Sequence, residues 1–231
     1  MTTKPRTARV AKAAVGSTER GMGRRELNKA EKLHRIKMAA RELFISKGFD
    51  ETTIREIATV AEVGLGTVFV YAENKRDLLF LIVNDGLEEA AGKARASVNE
   101  AAPLVDNLLG AFQPLYQFFA RQPALSRLAL REMAFYDSGI QSRSFHQTRE
   151  ALIELAGDIV RVAIARGRIS SPETPQFIGW VTFCIYQVEL RRWLAQDAPK
   201  LREGMDHLRR ALKLFVQGLN PSDDAVPRPR H

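Results

Sequence analysis

Apolar residues recur at three- and four-residue steps from Leu27 almost to the end of the chain, and no segment alternates with the two-residue period of a β-strand. The first apolar stripe is followed by Gly48, a residue that commonly ends helices. This stripe consists of Leu33, Ile36, Ala40, Leu43 and Phe44. The pattern predicts an all-α protein.

Two short helices are predicted after this first one. Thr53 and Glu56 have the spacing of a capping box at the start of the second helix. Gly64 is expected to accommodate the turn into a short third helix, which begins at about Leu65. A long helix that crosses two short ones joined by a tight turn is the arrangement of a helix-turn-helix, here over Thr53–Ala72.

A longer helical region follows the short helices. Asn74 and Asp77 are placed to cap a long fourth helix, and proline or glycine separates the segments beyond it. These segments cover about 103–121, 123–136, 140–166, 174–196 and 199–218. The sequence therefore predicts a small N-terminal three-helix domain and a larger helical domain.

The stretches RELFISKGFDETTIREIA at 41–58 and VGLGTVFVYAENKRDLL at 63–79 carry a specific resemblance. Over about residues 30–80 the chain resembles the DNA-binding domain of TetR family transcriptional regulators. The resemblance implies a helix-turn-helix domain followed by a ligand-binding and dimerisation domain. The expected organisation is a basic disordered arm (1–26), a DNA-binding domain (27–74), a ligand-binding and dimerisation domain (75–219) and a disordered tail (220–231).

The resemblance also assigns contacts to DNA. Thr53 and Lys75 would bind phosphates, although Thr53 can equally serve only as a cap and Lys75 as a solvated charge. The residues expected to face the major groove are Leu65, Gly66, Thr67, Phe69, Val70 and Tyr71. Phe69 stands where the family commonly has tyrosine, and Leu65 and Val70 are apolar too, so Thr67 and Tyr71 are the main groups left to bond to bases. We therefore expect the operator to be read partly through methyl contacts and DNA shape.

The charge balance agrees with a polyanionic partner, since the formal net charge is +8. Much of this charge lies in the N-terminal arm, at Lys4, Arg6, Arg9, Lys12, Arg20, Arg24 and Arg25. Such an arm can place arginines in the minor groove, or it can be a solubilising tail. With Cys184 as the single cysteine, no apolar run long enough to span a bilayer and no signal-peptide core, the sequence predicts a cytoplasmic protein.

The larger domain carries aromatic and polarisable side chains that could line an effector pocket. The candidates are Phe112, Tyr116, Phe119, Met133, Tyr136, His146, Trp180 and Phe183. For each of them, plain core packing is the alternative. His146 and Arg149, three residues apart, could orient a polar or anionic ligand or lie on exposed surface.

The last two helices are predicted to form a homodimer interface. The final helix has a heptad-like apolar seam, and the segment Phe177–Leu190 is apolar on nearly every side. The seam consists of Leu201, Met205, Leu208, Leu212, Phe215 and Leu219. The alternative is a wholly intramolecular core.

The predicted function is sequence-specific DNA binding by a homodimer at a palindromic operator, as a repressor released by a small-molecule effector. A sequence-independent DNA-binding protein and a helical enzyme are the alternatives. The sequence contains no Gly-rich phosphate loop, no metal-spaced His/Cys cluster and no nucleophile elbow. We therefore expect no enzyme activity, metal or cofactor.

Overall fold

The structure is a computed structural model that describes residues 23–218. This part of the chain is helical and has no strand, so the all-α prediction is confirmed. A 3₁₀ turn, Met133–Phe135, lies between the sixth and seventh helices. The helices are α1 (Arg24–Ser46), α2 (Ile54–Val60), α3 (Leu65–Phe69), α4 (Lys75–Ala96), α5 (Leu104–Ala120), α6 (Pro123–Glu132), α7 (Ser142–Ala165), α8 (Pro175–Leu194) and α9 (Leu201–Gln217).

The predicted caps lie at the helix starts. The Glu56 N–H donates to the Thr53 hydroxyl at 3.2 Å, and the Thr53 N–H donates to the Glu56 carboxylate at 2.8 Å. The Asp77 N–H donates to the side chain of Asn74 at 2.9 Å, which caps α4. Thr174 caps α8 in the same way. Because each cap satisfies N–H groups that the helix leaves free, these boundaries are encoded locally.

Helix α1 begins three residues earlier than the sequence indicated. Arg24, Arg25 and Glu26, which had been assigned to the arm, are helical, and the Glu26 carboxylate accepts a bond from the Gly23 N–H at 3.3 Å. The rest of the predicted arm, with Lys4, Arg6, Arg9, Lys12 and Arg20, lies outside the described residues. Leu219 and the predicted tail at 220–231 lie outside them as well.

The turn between α2 and α3 is a Schellman motif. The Val63 N–H donates to the carbonyl of Ala58 and the Glu62 N–H to that of Thr59. Its left-handed residue is Glu62, with φ 52°. Gly64, which was expected to accommodate the turn, has an ordinary φ of −65° and instead precedes α3 as its N-cap.

Helix α4 connects the two halves of the fold, because it packs against α1 of the smaller half and against α5 and α7 of the larger half. In the larger half, α7 and α8 approach closely where Gly157 meets Gly179. The two central leucines of the α9 seam, Leu208 and Leu212, are fully buried within the chain. No helix among residues 23–218 is both long and apolar enough to cross a membrane.

Candidate DNA-binding face and effector cavity

The residues predicted to face DNA share an open surface on and after α3. Phe69 and Val70 are 45% and 65% exposed although both are large and apolar. Gly66 is also exposed, while Leu65, Thr67 and Tyr71 are half-buried. Val68 points the other way and is fully buried in the hydrophobic core. The short helix therefore presents apolar side chains to solvent, which is unusual unless they meet a partner.

Four basic residues in the first turns of α1 lie beside α3 and are called here the basic wall: Arg24, Arg25, Lys29 and Lys32. The first turns of α1 and the exposed side of α3 enclose a cleft lined by Arg24, Arg25, Asn28, Lys29, Lys32, Gly64, Gly66, Thr67, Val70 and Tyr71. The sequence interpretation did not single out Lys29 and Lys32. Their spacing from Arg25, four and then three residues along one helix, was the available signal. The cleft brings cations beside the groove-facing side chains.

Thr53, one of the two predicted phosphate contacts, is exposed at the start of α2. Its hydroxyl and N–H both bond to Glu56, whose carboxylate also pairs with the Lys47 ammonium at 2.5 Å. The bond from Lys47, with those from Thr53, lowers the pKa of Glu56 to about 2. The cap is thus a charged network on the exposed side of the domain.

Lys75, the other predicted phosphate contact, is half-buried. Its ammonium donates to the carbonyls of Phe49 and Asp50 at 2.8 and 2.7 Å and lies 5.1 Å from the centroid of the Phe49 ring. Two of its three N–H groups therefore hold the loop between α1 and α2. One N–H remains for a phosphate.

A cavity of about 510 Å³ lies in the larger half of the fold, between α4, α5, α7 and α8. Leu87, Phe145 and Leu152 contribute to its mainly apolar lining. Five of the eight predicted effector residues also line it: Phe119, Met133, Tyr136, His146 and Phe183. Its volume lies within the range of small-molecule sites.

The other three predicted effector residues lie outside the cavity wall. Phe112 and Tyr116 are buried in the adjoining core, where Phe112 stacks on Tyr186 with ring centroids 4.5 Å apart. Trp180 is 47% exposed and stacks on Phe177 along the outer face of α8. An apolar position on a helix has the same sequence pattern whether it faces core, cavity or a second chain, so these three could not be separated.

The cavity also receives cations that the sequence interpretation did not select. Arg149 and Arg191 both line it, and both are exposed, so the exposed-surface alternative for Arg149 agrees with the structure. Arg191 donates to the side chain of Gln187 at 2.8 Å, and partial burial lowers its pKa. Neither guanidinium has an acidic partner within 4.0 Å among residues 23–218, although Asp137 also lines the cavity. The cavity is therefore lined mainly by apolar residues, and its charged lining residues include these two exposed arginines.

A second apolar surface lies in the groove between α8 and α9. Val188 and Leu214 are 63% and 56% exposed there. The groove is lined by Val181, Cys184, Ile185, Val188, Glu189, Ala211, Leu214, Phe215 and Gly218. Since Leu208 and Leu212 are already buried within the chain, the free surface lies on the neighbouring side of α9.

Residues 23–218 contain no group of three or more His, Cys, Asp or Glu side chains arranged to hold a metal ion.

Comparison with known proteins gives a consistent result. Residues 36–82 match the family described as "Bacterial regulatory proteins, tetR family". The chain is 24% identical over 178 residues to YhgD, an uncharacterised helix-turn-helix transcriptional regulator of Bacillus subtilis, covering 77% of this chain and 91% of YhgD. It is 40% identical over 58 residues to the transcriptional regulator HbdR of Aromatoleum sp., covering 25% of each chain.

Solved structures extend the similarity to the larger domain. The Thermus thermophilus FadR, a TetR family transcriptional repressor in complex with lauroyl-CoA, aligns with a TM-score of 0.61 and 26% identity, covering 85% of this chain and 99% of its own. The Bacillus subtilis FadR, in complex with stearoyl-CoA, aligns with a TM-score of 0.64 and 19% identity, covering 81% and 99%. The similarity therefore spans both halves of the fold.

Proposed function

The chain belongs to the TetR family of transcriptional regulators, and we propose that it is a dimeric repressor that leaves a palindromic operator when an amphiphile with an anionic head group enters its cavity. The observation that carries the proposal is the presence, in one chain, of an exposed recognition helix and an apolar cavity whose two arginines form no ion pair among residues 23–218. Members of this family bind DNA operators and small-molecule effectors, and they are generally not enzymes.

DNA binding is proposed to use the α3 face together with the basic wall of α1. Thr67 and Tyr71 supply the polar contacts to bases, and Phe69 and Val70 the apolar contacts. Thr53 and the remaining N–H of Lys75 are proposed to bind phosphates, as are the cations that line the cleft. Phosphate contacts set the register on the duplex, and the few base contacts then select the sequence.

Dimerisation is proposed to bury the apolar groove between α8 and α9. One α3 helix in one major groove of DNA supplies few contacts, whereas two linked DNA-binding domains, here called reading heads, multiply the affinity. Exposed Val188 and Leu214 lie on this groove, and such apolar surface favours burial by another chain. A two-fold interface at this groove would pair the same residues from both copies.

The effector is proposed to be an acyl-CoA or a related amphiphilic acid. Phe119, Phe145 and Leu152 offer an apolar wall for a chain, and Arg149 and Arg191 offer charge for an acidic head group. The lauroyl-CoA and stearoyl-CoA bound to the two FadR proteins support this ligand class. A ligand acts only by binding the DNA-incompetent state more tightly than the competent one.

The effector proposal is tested with lauroyl-CoA, lauric acid and free coenzyme A, each measured by thermal shift and by operator release. Lauroyl-CoA should raise the melting temperature and release the operator. Replacing Arg149 and Arg191 together by Gln should weaken lauroyl-CoA binding by about tenfold or more, since charge-assisted hydrogen bonds contribute about 1.5–3 kcal/mol each. The control Arg161→Gln removes an exposed arginine of α7 that already pairs with Asp158.

The three ligands distinguish which part of lauroyl-CoA the site binds. A shift with lauric acid alone assigns the site to the acyl acid, and a shift with coenzyme A alone assigns it to the nucleotide. No thermal shift with any of the three would contradict the proposed ligand class. An equal loss of binding in the Arg161→Gln control would contradict the specific role of Arg149 and Arg191.

The operator proposal is tested by footprinting on the chain's own upstream DNA at physiological salt. A protected palindrome is expected, and equal binding to random duplexes would instead favour sequence-independent DNA binding. Val188→Glu should convert the dimer to monomer in sedimentation and abolish the footprint, because it places a charge in the α8–α9 groove. A dimeric Val188→Glu protein would contradict the proposed interface.

A further inference from the structure

The carboxylate of Asp77 is the centre of a buried polar junction between the two halves of the fold. Asp77 lies in the first turn of α4 and is fully buried. Its oxygens accept bonds from the N–H groups of Glu73, Ile140 and Gln141 at 2.8–2.9 Å and from the Tyr136 hydroxyl. A buried carboxylate is costly unless it is satisfied in this way, so the four donors fix the local arrangement.

The segment 136–141 is fitted closely around this carboxylate. Gly139 has φ +118°, and a Cβ built there would lie 2.7 Å from an Asp77 oxygen. The loop backbone can therefore approach Asp77 only because residue 139 is a glycine. This close fit makes the junction sensitive to small displacements of the loop.

One end of the junction reaches the effector cavity. Tyr136 lines the cavity, and its ring stacks on Phe80 of α4 with centroids 3.9 Å apart. Burial, together with the bond to Asp77, raises the pKa of the Tyr136 hydroxyl, which therefore stays protonated and donates. A ligand that displaces this ring must break or bend the bond to Asp77.

The other end of the junction reaches the end of the recognition helix, α3. The side-chain amide of Gln141 donates to the carbonyl of Tyr71 at 3.0 Å, and Tyr71 belongs to the cleft beside α3. The carbonyl of Gln141 accepts from Asn84 of α4 at 3.0 Å, which holds the loop along that helix. Consecutive hydrogen bonds thus connect Tyr136 in the cavity lining, Asp77 of α4 and Tyr71 just after α3.

We propose that Tyr136, Asp77 and Gln141 couple effector binding to the position of the recognition helix. In the unliganded state the Tyr136 hydroxyl and the 139–141 backbone hold Asp77, and Gln141 holds Tyr71. A ligand against Tyr136 loosens the 136–141 loop and releases Gln141 from Tyr71, which frees the reading head to move relative to α4. The inference rests on the proposed function, because it requires an effector in the cavity.

The test replaces Tyr136 by Phe, which keeps the ring and removes only the hydroxyl. The measured quantity is the coupling ratio, the operator Kd with saturating lauroyl-CoA divided by the Kd without it. With lauroyl-CoA raised until it saturates each protein, Tyr136→Phe should lower this ratio by about fivefold or more, within the usual range of allosteric coupling. The matched control is Tyr116→Phe, whose buried hydroxyl has no hydrogen-bond partner among residues 23–218 and lies outside the cavity lining.

A second, ligand-free measurement separates the coupling from the effector proposal. In hydrogen exchange without ligand, Tyr136→Phe should speed exchange at the amides of Tyr71 and Ala72, which bond to Val68 at the end of α3. Tyr116→Phe should leave these amides unchanged. If the wild-type protein fails to bind lauroyl-CoA, the effector proposal fails, and this exchange experiment still tests whether the Asp77 junction holds the end of α3.

Two results would overturn the inference. One is a wild-type coupling ratio in a Tyr136→Phe protein that binds lauroyl-CoA normally, even if its melting temperature falls. The other is faster exchange confined to the 133–141 segment with no change at Tyr71 and Ala72. Either result would reduce the Asp77 junction to a structural support.

Discussion

Glu62 occupies the left-handed position of the turn between α2 and α3, where glycine is normally favoured. Its carboxylate pairs with Arg35 at 3.4 Å and is mostly exposed, so this ion pair contributes little. Glu62→Gly should raise the free energy of unfolding by about 1 kcal/mol relative to Glu62→Ala, because only glycine adopts this φ without strain. Urea denaturation of both variants measures the difference.

The pair of variants separates two effects. Both remove the ion pair with Arg35, and only Glu62→Ala retains a Cβ at φ 52°. Equal stability of the two would show that the backbone at this turn relaxes without strain. Unequal stability with the glycine variant higher would place the strain at the turn that sets the angle of the recognition helix.

The Glu56 cap makes the start of α2 sensitive to acid. The carboxyl pKa is about 2 in the folded chain against an ordinary value of 4.5, so unfolding promotes protonation. The contribution of the cap is therefore complete above pH 4.5 and is lost as the pH falls towards 2. An NMR titration of the Glu56 carboxyl and the Thr53 amide should show a common midpoint near 2. Lys47→Met should raise that midpoint, and an unshifted wild-type midpoint of 4.5 would contradict the assigned network.

At the scale of elements, the contact between α7 and α8 depends on Gly179, which lies against the backbone of Gly157. A Cβ at Gly179 would lie 2.6 Å from the Cα of Gly157, so the helices cannot keep their spacing with any larger residue. Gly179→Ala should destabilise the fold by about 1–3 kcal/mol, the usual cost of overpacking. Because α7 and α8 both line the cavity, we also expect weaker effector binding, measured by the same thermal shift.

Gly92 provides the matched control in an exposed part of α4. A Cβ at Gly92 would meet no atom within 4 Å. Gly92→Ala should therefore stabilise the chain by about 0.5–1 kcal/mol through the higher helix propensity of alanine. Destabilisation of both glycine variants to the same extent would show that helix packing is not the cause at Gly179.

The helices were largely predictable from the sequence, whereas the tertiary contacts of their residues were not. Caps such as Thr53 and Asn74 act within one turn of chain, so the sequence encodes helix boundaries locally. Asp77 could be predicted only as part of such a cap. Its junction depends on Tyr136 and Gln141, about sixty residues away, and only the folded chain brings them together. For the same reason, the sequence could not distinguish cavity residues such as Phe119 from core residues such as Tyr116.

At the scale of the whole molecule, the surfaces proposed for DNA and for the effector differ in character. The reading head combines exposed apolar side chains of α3 with the cations of α1, whereas the sensor half encloses an apolar cavity with Arg149 and Arg191. The long helix α4 packs in both halves and so connects them.

The charge distribution predicts which lysines determine the salt dependence of operator binding. Lys29 and Lys32 lie in the cleft beside α3 and make no ion pair among the described residues. Replacing both by Gln should lower the magnitude of the slope of log affinity against log salt by up to about 3.6 in the proposed dimer, at about 0.9 per phosphate contact.

Lys213→Gln is the control, since Lys213 is an exposed lysine of α9 in the sensor half. It removes one positive charge from each chain without touching the reading head. If the slope depends on contacts, the control leaves it nearly unchanged while the α1 variant flattens it. A similar change per charge in both proteins would mean that net charge, rather than the basic wall of α1, attracts the DNA, and the phosphate contacts proposed for α1 would have to be withdrawn.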